Sequence, residues 1–167
     1  MTDLVITQEG PADYAEIYRV TKLAFTGRPY AGGDEQDLIN RLRDVGALTL
    51  SLAAFTNNEL VGQATFSPAS QSDGSTPWYA LGPISVHPDH QSQGIGGALI
   101  KEGLDRLIER GALGCILTGD PKYYGRFGFE LSPEHVPKAE SQEYFQIKYL
   151  TEFRPQGRFC FHEAFYE

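Results

Sequence analysis

The sequence predicts a mixed α/β fold whose largely antiparallel sheet contains one parallel strand pair. The main observation is a strand at 78–86, a helix at 95–109 and a strand at 113–118 in succession. A helical crossover of this kind pairs its two strands in parallel. The second observation is a tight turn between the β-rich runs 48–55 and 60–66, which predicts an antiparallel pair.

One strand and two helices are predicted in the N-terminal region. Residues 4–8 are β-branched enough for a first strand, and the Gly-Pro-Ala-Asp segment at 10–13 ends it. Apolar residues then recur at helical spacing over 14–25 and again over 34–44, which predicts two helices. The intervening segment 27–33 contains three glycines and a proline and is predicted to be a loop.

The middle of the chain contains the hairpin and the strand that leads into the crossover. Residues 56–59, Thr-Asn-Asn-Glu, suit a hairpin turn because asparagine tolerates positive φ. The polar segment 68–77 is predicted to be a surface loop. Within the next strand, Gly82 and Pro83 predict a distortion, since proline cannot donate a ladder hydrogen bond and glycine often marks a bulge.

The helix at 95–109 has the most regular pattern in the chain. Its apolar residues form one stripe and its charged residues lie elsewhere, and Gly111 follows its end. After the strand at 113–118, a short helix is predicted at 123–127. The segments 144–150 and 158–165 are strand-like and are expected to pair antiparallel.

The composition is ordinary for one globular domain. The chain has 167 residues, of which 41% are hydrophobic and 22% charged, so a single domain covering 1–167 is expected. A formal net charge of −8 argues against nucleic acid as a partner, because affinity for nucleic acid depends on clustered Lys and Arg. The oligomeric state is open, with a homodimer as one option.

The sequence contains no pattern typical of a membrane segment or a metal site. Apolar runs such as 52–55 are far shorter than the roughly 20 residues that span a bilayer. Residues 1–6 lack the basic start and apolar stretch of a signal peptide, so a cytoplasmic location is expected. Cys115 and Cys160 have no His or second Cys at ligand spacing, so both are interpreted as small core residues.

A glycine-containing loop, Gln91–Gly97, joins the strand at 78–86 to the helix at 95–109. Glycines let a ligand approach the backbone closely, and the unpaired amides and dipole of a helix N-terminus favour an anion such as phosphate. A dinucleotide-binding pattern would need glycine in place of Leu99, and the Gly-Lys pair of a P-loop is missing. A purely structural turn is the remaining alternative.

Two motifs resemble those of the GNAT superfamily of acyl-CoA N-acyltransferases. The segment Gln91–Gly96 matches the first signature, (Gln/Arg)-x-x-Gly-x-(Gly/Ala), and Tyr124–Phe129 matches the second, Tyr-x-x-x-Gly-Phe. The two motifs occur in the expected order, and their conjunction is more specific than either alone. The sequence of residues 119–129 is similar to that of a subgroup of bacterial N-acetyltransferases of the YhbS type.

The resemblance implies a GNAT fold, in which the parallel strand pair is splayed and helices lie on both faces of the sheet. It also implies acetyl-CoA as cosubstrate, and no metal is expected. The pantetheine arm would insert between two splayed parallel strands and bind backbone groups of Ile84, Ser85 and Val86. The pyrophosphate would be held by the glycine loop, whose predicted binding residues are Gln91, Ser92, Gln93, Gly94, Ile95, Gly96 and Gly97. Tyr124 would lie beside the sulfur and donate a proton to the leaving thiolate, since tyrosine is protonated at neutral pH. Its alternative role is that of a packed core aromatic.

The implied reaction is transfer of an acetyl group to a primary amine by direct attack, without an acyl-enzyme. Many relatives carry a carboxylate base on the strand that corresponds to 78–86, and none occurs there in this chain. Asp34, Glu35, His87 or an ordered water could serve, but the favoured interpretation of each of these residues is an ordinary capping, surface or hydrogen-bonding role. The loop at 27–33 would border the acceptor cleft, and the acceptor, a small-molecule or a protein amine, is open.

Two other functions are consistent with the same motifs. One is a CoA-binding sensor without turnover, which the missing strand carboxylate favours and Tyr124 argues against. The other is an acyltransferase that uses a hydroxyl acceptor or a longer acyl-CoA.

Overall fold

The computed structural model describes residues 3–29 and 31–167. Three residues lie outside the described ranges. They are Met1 and Thr2, which belong to the segment 1–6 discussed above as a possible signal peptide, and Tyr30, which belongs to the predicted loop at 27–33. The α-helices are Tyr14–Phe25 (α1), Glu35–Asp44 (α2), Ile95–Glu109 (α3) and Pro121–Tyr124 (α4). The strands are Leu4–Gln8 (β1), Leu50–Thr56 (β2), Glu59–Gln71 (β3), Trp78–Val86 (β4), Gly114–Thr118 (β5), Glu130–Leu131 (β6), Phe145–Tyr149 (β7) and Phe159–Cys160 (β8).

The strands form one sheet in the order β1-β2-β3-β4-β5-β7-β6, and β8 pairs with β3. The β4–β5 pair is parallel, whereas β1–β2, β2–β3, β3–β8, β5–β7 and β6–β7 are antiparallel. The predicted mixed fold, largely antiparallel with one parallel pair, is therefore confirmed. In the parallel pair, residues Trp78–Ala80 of β4 lie opposite residues Gly114–Ile116 of β5.

Local signals predicted several elements within a residue or two. Both β4 and α3 have the predicted bounds. Asn57 and Asn58 have φ angles of 52° and 63°, as the predicted hairpin turn requires. Gly82 has a φ of 146°, so the predicted distortion lies inside a continuous β4.

The predictions for the segments 68–77 and 158–165 are wrong in part. The predicted loop at 68–77 is partly strand, because β3 continues to Gln71 and its last two residues pair with β8. The predicted strand at 158–165 shrinks to Phe159–Cys160, and Glu163–Tyr166 is a 3-10 helix instead. His162 begins that helix, since its Nδ1 accepts a hydrogen bond from the Ala164 N–H at 3.0 Å.

The chain forms two compact units, and the first consists of residues 1–66 and 82–103. Its core is built where α1 and α2 supply apolar side chains against β2 and β3. The fully or nearly fully buried members are Ile17, Val20, Ile39, Ala53 and Leu60. The spacing of the helical members matches the predicted apolar faces.

The second unit consists of residues 67–81 and 104–167 and has an aromatic core. Its buried members are Trp78, Ala80, Ile116, Phe145, Ile147, Phe159 and Phe161. Cys115 is buried as predicted, but Cys160 is exposed, which corrects its interpretation as a core residue. Successive strand residues face opposite sides, so the burial of Phe159 turns Cys160 outward. The single domain expected for 1–167 stays a prediction.

None of the helices in the described ranges has the length and apolar character needed to cross a membrane.

Candidate functional site

The loop before α3 presents backbone N–H groups at an exposed helix N-terminus. Ser92 and Gly94 have φ angles of 64° and 84°, and these left-handed conformations turn the chain sharply into the helix. The Ala98 N–H donates to the Gly94 carbonyl at 3.0 Å. The N–H groups of the first helical turn have no intrahelical acceptor and point out of the helix end, where they favour an anion.

Two glycines let α3 lie close to β3 within the first unit. A Cβ added to Gly62 would lie 3.1 Å from both the Ile95 side chain and the Ser85 carbonyl. A Cβ added to Gly103 would lie 2.1 Å from the Phe66 ring, well inside contact distance. The helix and the loop that precedes it are therefore held against the sheet by close packing that only glycine allows.

Gln91, the first residue of the predicted cofactor loop, has partners at both ends of its amide. Its Nε2 donates to the Val86 carbonyl at 3.2 Å, and its Oε1 accepts from Arg28 Nη2 at 3.1 Å. The loop is thereby tied to the end of β4, and an exposed cation lies beside it. Sequence reasoning missed Arg28, because no local pattern connects it with a residue 63 positions away.

The backbone of β4 alternates in direction along the predicted pantetheine-binding segment. The Pro83 carbonyl accepts hydrogen bonds from the side chains of Thr65 at 2.8 Å and Gln63 at 3.3 Å, and the His87 N–H donates to the Val61 carbonyl at 2.8 Å. Residues 83 and 87 therefore direct their backbone groups toward β3. Strand alternation directs those of Ile84 and Val86 to the opposite edge.

Ser85 takes part in a buried polar network. Its hydroxyl accepts from Gln63 Nε2 at 2.8 Å and lies 3.1 Å from the hydroxyl of Thr21 on α1. All three side chains are at most 5% exposed. The network links α1, β3 and β4 and holds the strand whose free edge carries Ile84 and Val86. The backbone of Ser85 is directed toward β3, where its carbonyl lies near Gly62. The contacts of Ser85 in this network are made by its side chain.

Tyr124 lies in the second unit, at the end of α4. The helix begins at Asp120, whose Oδ1 accepts from the Lys122 N–H at 2.9 Å, with Pro121 at the first position. Gly128 follows with a φ of 91°, so the motif glycine ends the segment in a left-handed conformation. The half-buried Tyr124 ring has edge-on contacts with Tyr123 and Phe129, at centroid distances of 5.0 and 6.0 Å.

The three side chains named as candidate bases all have local partners. Asp34 pairs with Arg41 at 3.3 Å, and Glu35 accepts from the Gly32 and Gly33 N–H groups at 2.7 and 3.1 Å. His87 Nδ1 accepts from the Asp89 N–H at 3.0 Å. His87 thus caps a short helix, whereas Asp34 makes a surface ion pair and Glu35 makes local hydrogen bonds, and no base is assigned.

Two observations concern possible metal ligands and thiols in the described part of the chain. No three His, Cys, Asp or Glu side chains among residues 3–29 and 31–167 form a group able to hold a metal ion. Burial raises the pKa of the Cys115 thiol, so this cysteine is a poor nucleophile at neutral pH.

Comparison with known proteins identifies the family. The model of the acetyltransferase (GNAT) family matches residues 14–129. The uncharacterized N-acetyltransferase YhbS of Escherichia coli strain K12 is 35% identical over 133 residues, which cover 77% of this chain and 80% of that protein. The predicted resemblance is therefore confirmed.

Two solved structures share the fold over nearly the whole chain. One is a GNAT family acetyltransferase from Brucella melitensis in complex with acetyl-CoA, with a TM-score of 0.87, 41% identity and 98% coverage of both chains. The other is YhbS from Escherichia coli in complex with CoA, with a TM-score of 0.91 and 29% identity, covering 100% of this chain and 94% of that one. The chain therefore belongs to the acetyltransferase (GNAT) family.

Proposed function

We propose that this protein transfers an acetyl group from acetyl-CoA to a primary amine by direct attack. The observation that carries the proposal is the exposed glycine loop Gln91–Gly97 at the N-terminus of α3, with Arg28 beside it. Backbone amides, the helix dipole and a guanidinium are together suited to a pyrophosphate. The acetyl-CoA and CoA complexes of the two similar structures support the same cosubstrate.

The residues of β4 supply the second part of the proposed cofactor site. Ile84 and Val86 direct their backbone groups away from β3, and the parallel pairing covers only Trp78–Ala80 of this strand. Unpaired amide and carbonyl groups on such an edge suit the amide groups of a pantetheine arm. When bound, acetyl-CoA supplies the activated thioester, and the chain supplies orientation.

Tyr124 is the proposed general acid. A tyrosine phenol is ordinarily protonated at neutral pH, so it can donate to the thiolate that leaves when the amine attacks. The raised pKa of Cys115 argues against an acyl-cysteine step, which supports direct transfer. The amine must lose a proton, and because β4 has no carboxylate, a water held by the site is the proposed acceptor of that proton.

Calorimetric titration tests the cofactor part. CoA and acetyl-CoA are expected to bind and raise the thermal midpoint, since free ligand at 100 times Kd adds about 2.7 kcal/mol to the stability. NAD and ATP are expected to bind much more weakly. No heat of binding with millimolar CoA, or equal affinity for NAD, would overturn the cosubstrate.

A panel of amines, assayed for CoA release from acetyl-CoA, tests the reaction. Release above the rate of hydrolysis with at least one primary amine is the expected result. Tight CoA binding with no turnover on any amine would favour the sensor. Turnover only with hydroxyl acceptors, or only with longer acyl-CoA donors, would favour the alternative function of an acyltransferase that uses such an acceptor or donor.

A further inference from the structure

The ring of Tyr124 rests on the backbone of Gly119. A Cβ added at Gly119 would lie 2.5 Å from Cε2 of Tyr124 and 3.0 Å from its Cδ2. Carbon atoms in contact are about 3.5 Å apart, so even alanine would push the ring edge away by roughly 1 Å. The present ring position therefore requires glycine at this place.

Both backbone groups of Gly119 are held, one by Tyr144, which immediately precedes β7, and one by Gln146 of β7. Its N–H donates to the Tyr144 carbonyl at 3.0 Å, and its carbonyl accepts from Gln146 Nε2 at 2.8 Å. The same Nε2 also donates to the Tyr144 carbonyl at 3.3 Å. Because both neighbours are carbonyl oxygens, only the NH2 end of the Gln146 amide can face them.

The buried amide of Gln146 is energetically unusual. The side chain is 0% exposed, and its Oε1 has no hydrogen-bond partner among the residues that the structure describes. A buried unsatisfied acceptor costs about 1–3 kcal/mol, which an apolar residue would avoid. A buried polar side chain kept despite this cost points to a specific task for its amide nitrogen.

We propose that Gln146 and Gly119 are positioning residues that hold the Tyr124 ring in place, an inference that rests on the proposed general-acid role of Tyr124. Gln146 fixes the Gly119 backbone, and the Gly119 backbone is the surface on which the ring packs. Neither residue exchanges a proton. A displacement of about 1 Å at a reacting group can lower a rate by about 10²-fold, so this contact bears directly on catalysis.

Four variants test the proposal, two of them matched controls in the same unit. Gly119→Ala adds the Cβ that meets the ring, whereas Gly125→Ala adds one with no atom within 4 Å apart from its own chain neighbours. Gln146→Leu removes the amide that holds Gly119, whereas Gln71→Leu removes a like amide whose Nε2 donates to the Gly157 carbonyl at 2.8 Å. Thermal midpoints of all four separate folding from positioning.

The first readout is spectroscopic and needs no acceptor. In protein labelled with 3-fluorotyrosine, the ¹⁹F resonance of Tyr124 is assigned by its loss in Tyr124→Phe. We expect that resonance to shift or broaden in Gly119→Ala and Gln146→Leu, and to move much less in the two controls. An unchanged Tyr124 resonance in folded Gln146→Leu would overturn the role of Gln146, even if Gly119→Ala fails to fold.

The second readout uses an amine found in the panel. Gly119→Ala is expected to lower kcat roughly 10²-fold and Gln146→Leu roughly tenfold, with KM for acetyl-CoA nearly unchanged. In a Tyr124→Phe background, either change should add little, because the positioned hydroxyl is already missing. An equal further loss in that background would show a merely structural role. Full activity of Tyr124→Phe itself would instead refute the general acid, while the ¹⁹F readout still decides the positioning.

Discussion

The two motif segments of this GNAT protein differ in the groups that are proposed to act, backbone amides in the first and a side-chain hydroxyl in the second. Residues 91–97 present backbone N–H groups at the start of α3, and glycines keep the approach open. Residues 119–129 contain the hydroxyl of Tyr124, the proposed general acid, and Gly119 leaves room for the packing of that ring. The first segment is suited to holding a ligand and the second to moving a proton.

This difference predicts how each segment responds to substitution. Backbone recognition survives most side-chain changes and fails when a Cβ or a negative charge blocks the amides. Side-chain chemistry fails when one atom is removed, while ligand binding is left intact. Variants in the first segment should therefore change affinity, and variants in the second should change turnover.

Tyr124→Phe should give the largest effect. Loss of the general acid is expected to lower kcat by roughly 10²- to 10⁴-fold with the CoA dissociation constant nearly unchanged. Steady-state kinetics and calorimetric titration measure the two quantities. Tyr123→Phe, the matched control on the neighbouring ring, should retain activity. A fall in activity that only follows a lower thermal midpoint would not support the role, and a fully active folded Tyr124→Phe would refute it.

Gly96→Asp should give the next largest effect, on affinity. A carboxylate at the start of α3 repels the pyrophosphate and competes for its amides, so CoA binding is expected to weaken roughly 10- to 100-fold. Gly96→Ala adds the Cβ without the charge and should fall between this variant and the native protein. An unchanged CoA dissociation constant in folded Gly96→Asp would show that the loop is only a structural turn and does not bind the pyrophosphate.

Arg28→Gln should have a smaller effect that depends on salt. Arg28 is exposed and contacts the loop through Gln91, and exposed charge pairs contribute little, so a loss of roughly two- to fivefold in CoA affinity is expected. Titration at two ionic strengths checks the cause, since screening should narrow the difference between variant and native protein at high salt. A difference that does not change with salt would argue against an electrostatic contribution.

The smallest effect is expected for substitutions of the cysteines, because neither the backbone amides of 91–97 nor the Tyr124 hydroxyl requires a thiol. Cys160 is exposed and should react with a thiol reagent in the folded protein, whereas Cys115 is buried, burial raises its pKa, and it should react only after unfolding. Cys160→Ser should leave turnover unchanged. A Cys115→Ser variant that folds but loses turnover without losing CoA affinity would reopen the question of an acyl-enzyme.

The sequence by itself determined the elements whose signals are local. The apolar stripe and the following Gly111 predicted α3, the asparagines predicted the β2–β3 turn, and the two motifs predicted the family. Each signal is encoded within a few residues, because helical hydrogen bonds, turn conformations and strand alternation join near neighbours. The candidate loop and Tyr124 were therefore within reach of sequence reasoning.

Only the tertiary structure decided the contacts between distant parts of the chain. The extension of β3 to Gln71 depends on pairing with β8, and the outward position of Cys160 follows from it. Arg28 reaches Gln91 across 63 residues, and Gln146 reaches Gly119 across 27. No periodicity of a helix or strand relates residues so far apart, since such contacts exist only once the sheet has brought its strands together.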